Sequence, residues 1–330
     1  MSDLINKYAV GLDIGGTNMV AGVIEADSGR VVSRMSVPTD SQKGQEDGLG
    51  RIGDFIDDVV KSANVPMSSV IGIGIGSTGP VDSVTGHIYN PHTLPGWDGL
   101  PIVSYLTERF HLPANLLIDT HVAVLGEHWV GAGQGATNVI YITVGTGIGA
   151  GIILNNRLYR GTRLYSGEVG HHTIDINGPD CYCGGKGCWE MLASAPAISR
   201  YASDNAPNNS PLLQLASGNR ETISALMVSQ AASAGDEFAQ SVMERTAFYM
   251  GTGIANLMNI LAPDIIILGG GVMQSWPQLA PIILETVRKR AVMVPFDTVK
   301  IVPAALSLNA GITGAARAII AQEIGGSTLL

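Results

Sequence analysis

Tyr8-Ala9-Val10-Gly11-Leu12-Asp13-Ile14-Gly15-Gly16-Thr17-Asn18-Met19-Val20-Ala21-Gly22-Val23-Ile24 is the stretch that decides the fold. An apolar run ends at Asp13 and a glycine pair, turns at Thr17-Asn18, and returns as a second apolar run closed by Asp27-Ser28-Gly29. Two short apolar runs bounded by turn residues read as two strands joined by a glycine-rich hairpin. Val139-Ile140-Tyr141-Ile142-Thr143-Val144 repeats the pattern, passes through Gly145-Thr146-Gly147-Ile148-Gly149-Ala150-Gly151 and returns as Ile152-Ile153-Leu154. A strand, glycine hairpin, strand unit occurring twice predicts two related α/β halves.

The segments between agree. Val32–Val37 reads as a third strand, and 47–63 as a helix, with Leu49, Ile52, Phe55, Ile56, Val59 and Val60 at helical spacing. Val70–Gly76 alternates apolar residues with glycine, which suits a buried strand closely approached by another backbone. Ala114–Ile118 is a short strand, and 120–130 a helix with Val122, Leu125 and Trp129 on one face. Thr78–Asp82, Asn90–Pro101 and 164–190 read as loops, 192–260 as mainly helical, Ile265–Leu268 as an apolar strand ending in three glycines, and 311–323 as a helix packing back on the first half. The boundary between halves falls near 119–135. The assignment is residues 1–120 plus 312–330 for a small N-terminal α/β domain, and 121–311 for a larger C-terminal one.

Composition excludes several classes. Of 330 residues 45% are hydrophobic and 14% charged, against disorder. Net charge is −9 and no basic run occurs, so nucleic acid is not an expected partner. There is no apolar stretch long enough to span a membrane and no signal-like start, so a cytoplasmic protein is expected. Three cysteines make no disulfide framework.

Glycines directly after buried strands let backbone N–H groups approach an anion. Three such loops occur, at 15–18, 145–149 and 269–271; each alone also reads as a tight structural turn. The first two lead back into a strand rather than a helix, unlike a dinucleotide-binding turn, and no Gly-Lys-Ser/Thr follows, unlike a Walker loop. Hairpins cradling phosphate from two halves, with a third loop for the nucleotide, suggest a kinase cleft. Asp13 is placed to hold Mg²⁺ through water, or caps its turn.

All three cysteines lie between 181 and 188, in Cys181-Tyr182-Cys183-Gly184-Gly185-Lys186-Gly187-Cys188-Trp189-Glu190, preceded by Gly167-Glu168-Val169-Gly170-His171-His172. His-x9-Cys-x-Cys-x4-Cys supplies a closed tetrahedral set for a structural Zn²⁺, with three free thiols as the alternative. His171 and His172 are rival fourth ligands on spacing alone.

These motifs resemble the ROK family of repressors and sugar kinases, its bacterial glucokinases above all, over nearly the whole chain. Asp13–Asn18 matches the family's Asp-x-Gly-Gly-Thr motif, Gly145-Thr146-Gly147 its second phosphate motif, Gly269-Gly270-Gly271 its adenosine-side loop, and Gly170-His171 with the cysteines and Glu190 its zinc signature. The resemblance implies a two-domain actin-like, ribonuclease-H-like ATPase (sugar kinase) fold, α/β in class, with a structural zinc loop and domains closing over a sugar. It implies ATP and Mg²⁺ held through Asp13, Gly15, Gly16, Thr17, Asn18, Gly145, Thr146, Gly147, Gly269, Gly270 and Gly271, and Zn²⁺ on His171, Cys181, Cys183 and Cys188. Glu168, His171 and Glu190 would touch sugar hydroxyls, with one imidazole nitrogen on the metal and the other on the sugar. Gly79 belongs with the sugar-binding residues. Asp119, in Leu117-Ile118-Asp119-Thr120-His121, matches the catalytic base, which orients a sugar hydroxyl and accepts its proton; the alternative reading of Asp119 alone is a helix cap. Similar proteins are commonly dimers, so a homodimer or higher homo-oligomer is expected.

Three positions depart from the family. Ile118 stands where an Asn precedes the catalytic Asp, His121 where a second Asn follows it, and Thr93 where the Asn-Leu-Pro-Gly-Trp loop begins. An amide satisfies two hydroxyls and Ile118 none, so beside the glucokinase-like reading stands the alternative that the preferred substrate is not plain glucose. Thr93 and His121 would read a differently substituted hexose, an N-acetylhexosamine or a cyclitol. The expected reaction is phosphoryl transfer from ATP to a hydroxyl, a primary one by family resemblance. A catalytically silent sugar-binding or sensing protein is the alternative that Ile118 and Thr93 favour. A repressor is disfavoured by the acidic charge and by a first strand beginning near Tyr8, which leaves no room for a helix-turn-helix.

Overall fold

The computed structural model describes residues 4–162 and 165–324. In chain order the strands and helices are β1 (Tyr8–Ile14), β2 (Asn18–Glu25), β3 (Val31–Pro38), α1 (Gln45–Ser62), β4 (Val70–Ser77), β5 (Val81–Asp82), β6 (His87–Ile88), α2 (Ile102–Phe110), β7 (Ala114–Ile118), α3 (Asp119–Val130), β8 (Val139–Val144), β9 (Ile148–Leu154) and β10 (Arg157–Leu158). There follow α4 (Glu190–Ala193), α5 (Ala195–Asn205), α6 (Pro211–Leu215), α7 (Ala225–Ser233), α8 (Glu237–Leu261), β11 (Ile265–Gly269), α9 (Trp276–Arg290), β12 (Lys300–Pro303) and α10 (Ala310–Glu323).

The main strands form two five-stranded sheets, ordered β3-β2-β1-β4-β7 and β10-β9-β8-β11-β12. The two orders are the same when each set is numbered from its first strand, so the duplicated glycine-hairpin pattern is a duplicated topology. In the first sheet β1 pairs antiparallel with β2, and parallel with β4, which is parallel to β7. In the second, β10 is antiparallel to β9, and β11 parallel to β12. Val81–Asp82, at the end of the first stretch read as loop, pairs with His87–Ile88 as the hairpin β5–β6, whose two-residue strands are too short to leave a periodic signal.

By internal contacts the chain divides into two units: Met1–Tyr141, Gly151–Ser166 and Ala304–Leu330 make one, and Ile142–Ala150 with Gly167–Pro303 the other. In the first unit the side-chain alternation of β1 sorts its residues to two faces. Val10, Leu12 and Ile14 join Ile52, Phe55 and Ile56 of α1 and Leu106 of α2 in one core. Ala9 joins Ile312, Ala316 and Ile319 of α10 in another. The same alternation sends Gly11 and Asp13 toward α10.

That face explains the glycines of β1 and β4. A Cβ on Gly11 would lie 1.9 Å from Ile312 O, and one on Gly74 1.8 Å from Ala315 O. Helix backbone therefore lies directly on strand backbone, as the glycine alternation of β4 predicts. Because no side chain can rotate away, Gly74→Ala is expected to cost about 3 kcal/mol or more, at the upper end of overpacking penalties. Gly50→Ala, at an α1 position with nothing within 4 Å, is the control and should gain about 0.5–1 kcal/mol. Urea midpoints of the two variants test the contrast.

Helix α3 carries buried residues on every side rather than along one stripe. Its Glu127 is fully buried and accepts backbone N–H groups from Ala132 at 2.8 Å, Ala305 at 3.2 Å and Leu306 at 2.8 Å, tying the approach to α10 against the end of α3. In the second unit Asp236 caps α8 through Phe238 N and Ala239 N and also accepts from Ser210 Oγ and Leu212 N. The indole of Trp189, fully buried, lies over Gly253 of α8, where a Cβ would come within 2.3 Å of it, and so docks the end of the cysteine segment on a helix. Among the described residues no helix is long and apolar enough to cross a membrane.

Candidate active site

Three parallel strands, β1, β4 and β7, end together in the first unit, with Ile14 opposite Ser77 and Ser77 opposite Ile118. Carboxyl ends of parallel strands are where α/β folds gather ligand-binding residues. Asp13 lies at the end of β1 and Asp119 directly follows β7 as the first residue of α3. The carboxylate of Asp13 packs against Gly311 at the start of α10, where a Cβ would meet its Oδ2 at 2.2 Å. Some of the residue's surface remains exposed, yet its carboxyl is enclosed by protein. Desolvation, reinforced by the charge of Asp119, pushes that carboxyl up to about 7. Asp119 Oδ1 accepts from Thr120 N–H at 2.7 Å. Two carboxylates coupled this way resist carrying two charges together, unless a cation joins them.

The first glycine hairpin closes through Gly15 N–H to Asn18 O at 3.0 Å, and Thr39 holds it by donating Oγ1 to Gly15 O at 2.6 Å. Gly16, Thr17 and Asn18 are exposed. Thr93 lies over this hairpin, its methyl 2.7 Å from where a Gly16 Cβ would sit. Asn90 shapes the Thr93 loop, accepting Thr93 N–H at 2.9 Å and donating to Gly79 O. The aliphatic end of Ile118 faces Gly79, about 3.9 Å from an ideal Cβ there. The structure therefore brings Gly79, Thr93 and Ile118 together with Asn90, a residue the sequence motifs did not single out.

His121 is placed differently from the other sugar-reading candidates. It is 1% exposed, and its Nε2 lies 3.2 Å from Ser166 Oγ. Ser166 gives its own proton to Tyr159 O, so His121 donates and stays neutral, its imidazole held down to about 4 by burial.

In the second unit, the turn between β8 and β9 closes through Gly145 N–H to Gly147 O at 2.9 Å. Gly147 lies against Glu190, whose Oε2 would touch a Cβ there at 2.6 Å, and Gly270 adopts φ 89° against the Val144 backbone. Gly145 and Gly271 have no such reason to be glycine: a Cβ on either meets nothing within 4 Å, and neither has a left-handed φ. Bare backbone with open space in front of it suits the close approach of a ligand. Thr146 is exposed at the hairpin tip, and Gly269 is buried at the end of β11.

The cysteine segment forms one cluster. Donor atoms of His171, Cys181, Cys183 and Cys188 all lie within 4.8 Å of one another. His171 Nδ1 is 3.6 Å from Cys181 Sγ, and Cys183 Sγ is 3.6 Å from Cys188 Sγ. Tetrahedral zinc with Zn–S near ~2.3 Å and Zn–N near ~2.05 Å separates its ligands by about 3.6–3.8 Å, so the donor set fits that ion. Gly185 N–H donates to Cys183 Sγ at 3.4 Å, as a thiolate ligand favours. Of the two histidines, His171 is the one in this cluster, whereas His172 places Nδ1 on Val169 O and Nε2 3.4 Å from Asn256 Nδ2, and packs edge-on against Trp189.

Glu190 and His171 each commit one atom to the scaffold. Glu190 Oε2 accepts Ile148 N–H at 2.9 Å, and His171 Nδ1 faces the thiols. Their other atoms, Oε1 and Nε2, both meet the hydroxyl of Tyr182, at 2.9 and 3.3 Å. Glu168 stands exposed three residues before His171. The Tyr182 contact is a loop contact with no periodic signature, and only a residue-by-residue reading of the cysteine segment would have raised it.

Comparison with known proteins agrees with this geometry. The ROK family model matches residues 9–323. The glucokinase of Halalkalibacterium halodurans is 35% identical over 325 residues, covering 98% of this chain and 97% of that protein. The xylose repressor of Bacillus spizizenii is 30% identical over 95% of this chain and 77% of its own length. A ROK family glucokinase from Streptomyces griseus, solved with glucose and AMPPNP, superposes with a TM-score of 0.77 at 33% identity, over 94% of this chain and 98% of that one. The fold is the actin-like ATPase fold of the ROK sugar kinases. With its two matched sheets, its glycine hairpins and its histidine–cysteine cluster, this chain belongs to the ROK family.

Proposed function

We propose that the protein is an ATP-dependent sugar kinase, transferring the γ-phosphoryl group of ATP to a hydroxyl, a primary one, of a hexose or hexose-like substrate. The observation that carries this reading is the placement of Asp13 and Asp119 at the carboxyl ends of parallel strands, where burial and the charge of Asp119 both raise the Asp13 carboxyl. A protein that only binds sugar has no use for a destabilising carboxylate pair. A phosphoryl transferase uses one member to hold a cation and the other to receive a proton.

Asp119 is the catalytic base. The acceptor oxygen forms a bond to the γ-phosphorus as the bond from that phosphorus to the β,γ-bridging oxygen breaks, and the acceptor proton passes to Asp119. Asp13 would hold Mg²⁺, which when bound would offset charge on the phosphate oxygens. Gly15–Asn18 and Gly145–Gly147 present backbone N–H groups to the phosphates, and Gly269–Gly271 borders the nucleoside. Glu168, His171 and Glu190 bind sugar hydroxyls, and Gly79 and Thr93 are the sugar-reading candidates of the first unit. His171, Cys181, Cys183 and Cys188 would hold Zn²⁺ as a four-ligand set, a structural role that would fix the orientation of His171.

Substrate choice follows from Ile118. Its side chain offers no hydrogen bond and lies beside Gly79, so a hydroxyl directed there stays unpaired, at a cost of about 1–3 kcal/mol, or roughly tenfold or more in kcat/KM. The expected best substrate therefore lacks or modifies that hydroxyl, as an N-acetylhexosamine does. ADP release across glucose, mannose, xylose, N-acetylglucosamine, N-acetylmannosamine and myo-inositol tests both levels. Turnover with at least one sugar, and glucose not the fastest, is the expected result. Binding of sugar and nucleotide without any ADP release would favour the sensing role that the xylose repressor likeness suggests, and would overturn the kinase reading.

A further inference from the structure

Tyr182 sits between two of the clustered cysteines, and its side chain is arranged in an unusual way. The residue is 79% exposed, yet its hydroxyl is bound at both sides. It donates to Glu190 Oε1 at 2.9 Å and lies 3.3 Å from His171 Nε2. The ring meets the His171 imidazole edge-on, with centroids 5.2 Å apart and planes at 89°. Glu190 Oε2 and His171 Nδ1 are already engaged, by Ile148 N–H and by the thiol side of the cluster. The phenol thus takes the remaining polar atom of each residue, the two atoms by which each would hold a substrate hydroxyl.

We propose that Tyr182 is an intramolecular competitor of the acceptor sugar, its hydroxyl occupying the alcohol position that Glu190 and His171 share until a sugar displaces it. The inference rests on the reading that these two residues bind sugar. The chemistry matches: a phenol and a sugar alcohol are each one O–H donor with acceptor lone pairs, and the carboxylate of Glu190 accepts from either. The mechanics match as well. The ring is largely in water, so swinging it out exposes little additional apolar surface, and the latch consists mainly of its hydrogen bonds. Such a latch lowers apparent affinity by the fraction of molecules held open, so a site latched about nine-tenths of the time binds about tenfold more weakly. It also selects for substrates whose remaining hydroxyls bind well enough to complete the displacement.

Tyr182→Phe keeps the edge-on ring and removes only the competing hydroxyl. Calorimetric titration of the intact protein with glucose and with N-acetylmannosamine should give a Kd about tenfold lower in Tyr182→Phe, and the change in turnover should appear in KM rather than kcat. An unchanged or higher Kd would overturn the proposal. Glu190→Gln separates this failure from failure of the underlying reading. If Glu190→Gln loses affinity while Tyr182→Phe leaves it unchanged, the sugar contact stands and the latch does not. If Glu190→Gln binds as tightly as the unaltered protein, or that protein binds neither sugar, both fall. A 3-fluorotyrosine at position 182 gives a direct signature. Its fluorine resonance should move on saturation with sugar toward the position of solvent-exposed tyrosine, and a resonance that does not move counts against displacement.

Discussion

Asp119→Ala is expected to lower turnover by about 10³-fold with little loss of stability, since removing a positioned general base typically costs about 10²–10⁴. A sugar hydroxyl is a weak nucleophile, and the rest of the site contributes positioning and charge stabilisation, neither of which receives the proton. The fold should survive. Asp119 is the first residue of α3, and the helix is held by buried residues on all sides, so the loss is about 1 kcal/mol from the local Thr120 N–H contact. A second signature distinguishes loss of this carboxylate from general damage. The charge of Asp119 is one of the two causes raising Asp13. In Asp119→Ala, Asp13 should therefore titrate lower, and Mg²⁺ should bind at a more acidic pH than in the unaltered protein.

The sign for stability runs the other way from a salt-bridged carboxylate. Burial holds the Asp13 carboxyl up at about 7 in the folded protein, against the ordinary 3.8 of a free aspartate, so the folded state favours the protonated form. Its contribution is fully present below about 4 and is lost as pH rises through about 7. Metal-free protein should lose thermal stability across that window, and Asp13→Asn should flatten the loss. For catalysis, turnover should rise through about pH 7 as Asp13 becomes able to hold a cation. Turnover of Asp119→Ala within threefold of the unaltered protein would remove the base from the mechanism.

Much of this site was legible because its residues stand at strand ends, where the period of the pattern changes. The run into Asp13 and the run into Asp119 both end at carboxyl ends of parallel strands, and the repeat at 139–154 is present as a second sheet of the same strand order. The glycines of β4 were readable for the same reason: alternation with apolar residues leaves close backbone approach as their physical use. What escaped was non-local. The α3 pattern at Val122, Leu125 and Trp129 suggested one buried face, whereas α10 and the sheet cover it more fully, because Gly126 and Gly314 let the helices cross at close range. Strand β12 is short, lies at a sheet edge and includes an exposed lysine and proline, so it had no apolar run to find. His121 looked like a substituted sugar ligand by position, but its ring turns to Ser166, a partner distant in sequence. His171 and His172 were equivalent on spacing until Asn256 and Trp189 claimed the second.

Stripping the metal, or Cys188→Ser, is expected to lower Tm by more than about 10 °C and weaken sugar binding at least tenfold. Structural zinc contributes about 10–16 kcal/mol of apparent binding free energy in small domains, and that energy becomes folding energy wherever the chain cannot hold the site unaided. Here it cannot hold it well. Between His172 and Trp189 the backbone has two isolated bridges, Thr173 with Cys188 and Asp180 with Lys186, and no helix or strand of its own. Trp189 remains docked on α8 without the ion, so the second unit should stay folded while the segment before it loosens. His171 is then released, and Glu190, adjoining the last ligands, keeps its Ile148 contact but loses its neighbour. Sugar affinity should fall accordingly, and one equivalent of Zn²⁺ per chain should restore it where Mg²⁺ does not. Metal analysis of the purified protein, with sugar titrations before and after chelation, checks the coupling. Unchanged sugar affinity in metal-free protein would show that the cluster shapes its own loop and nothing beyond it, and the role assigned to His171 would have to be given up.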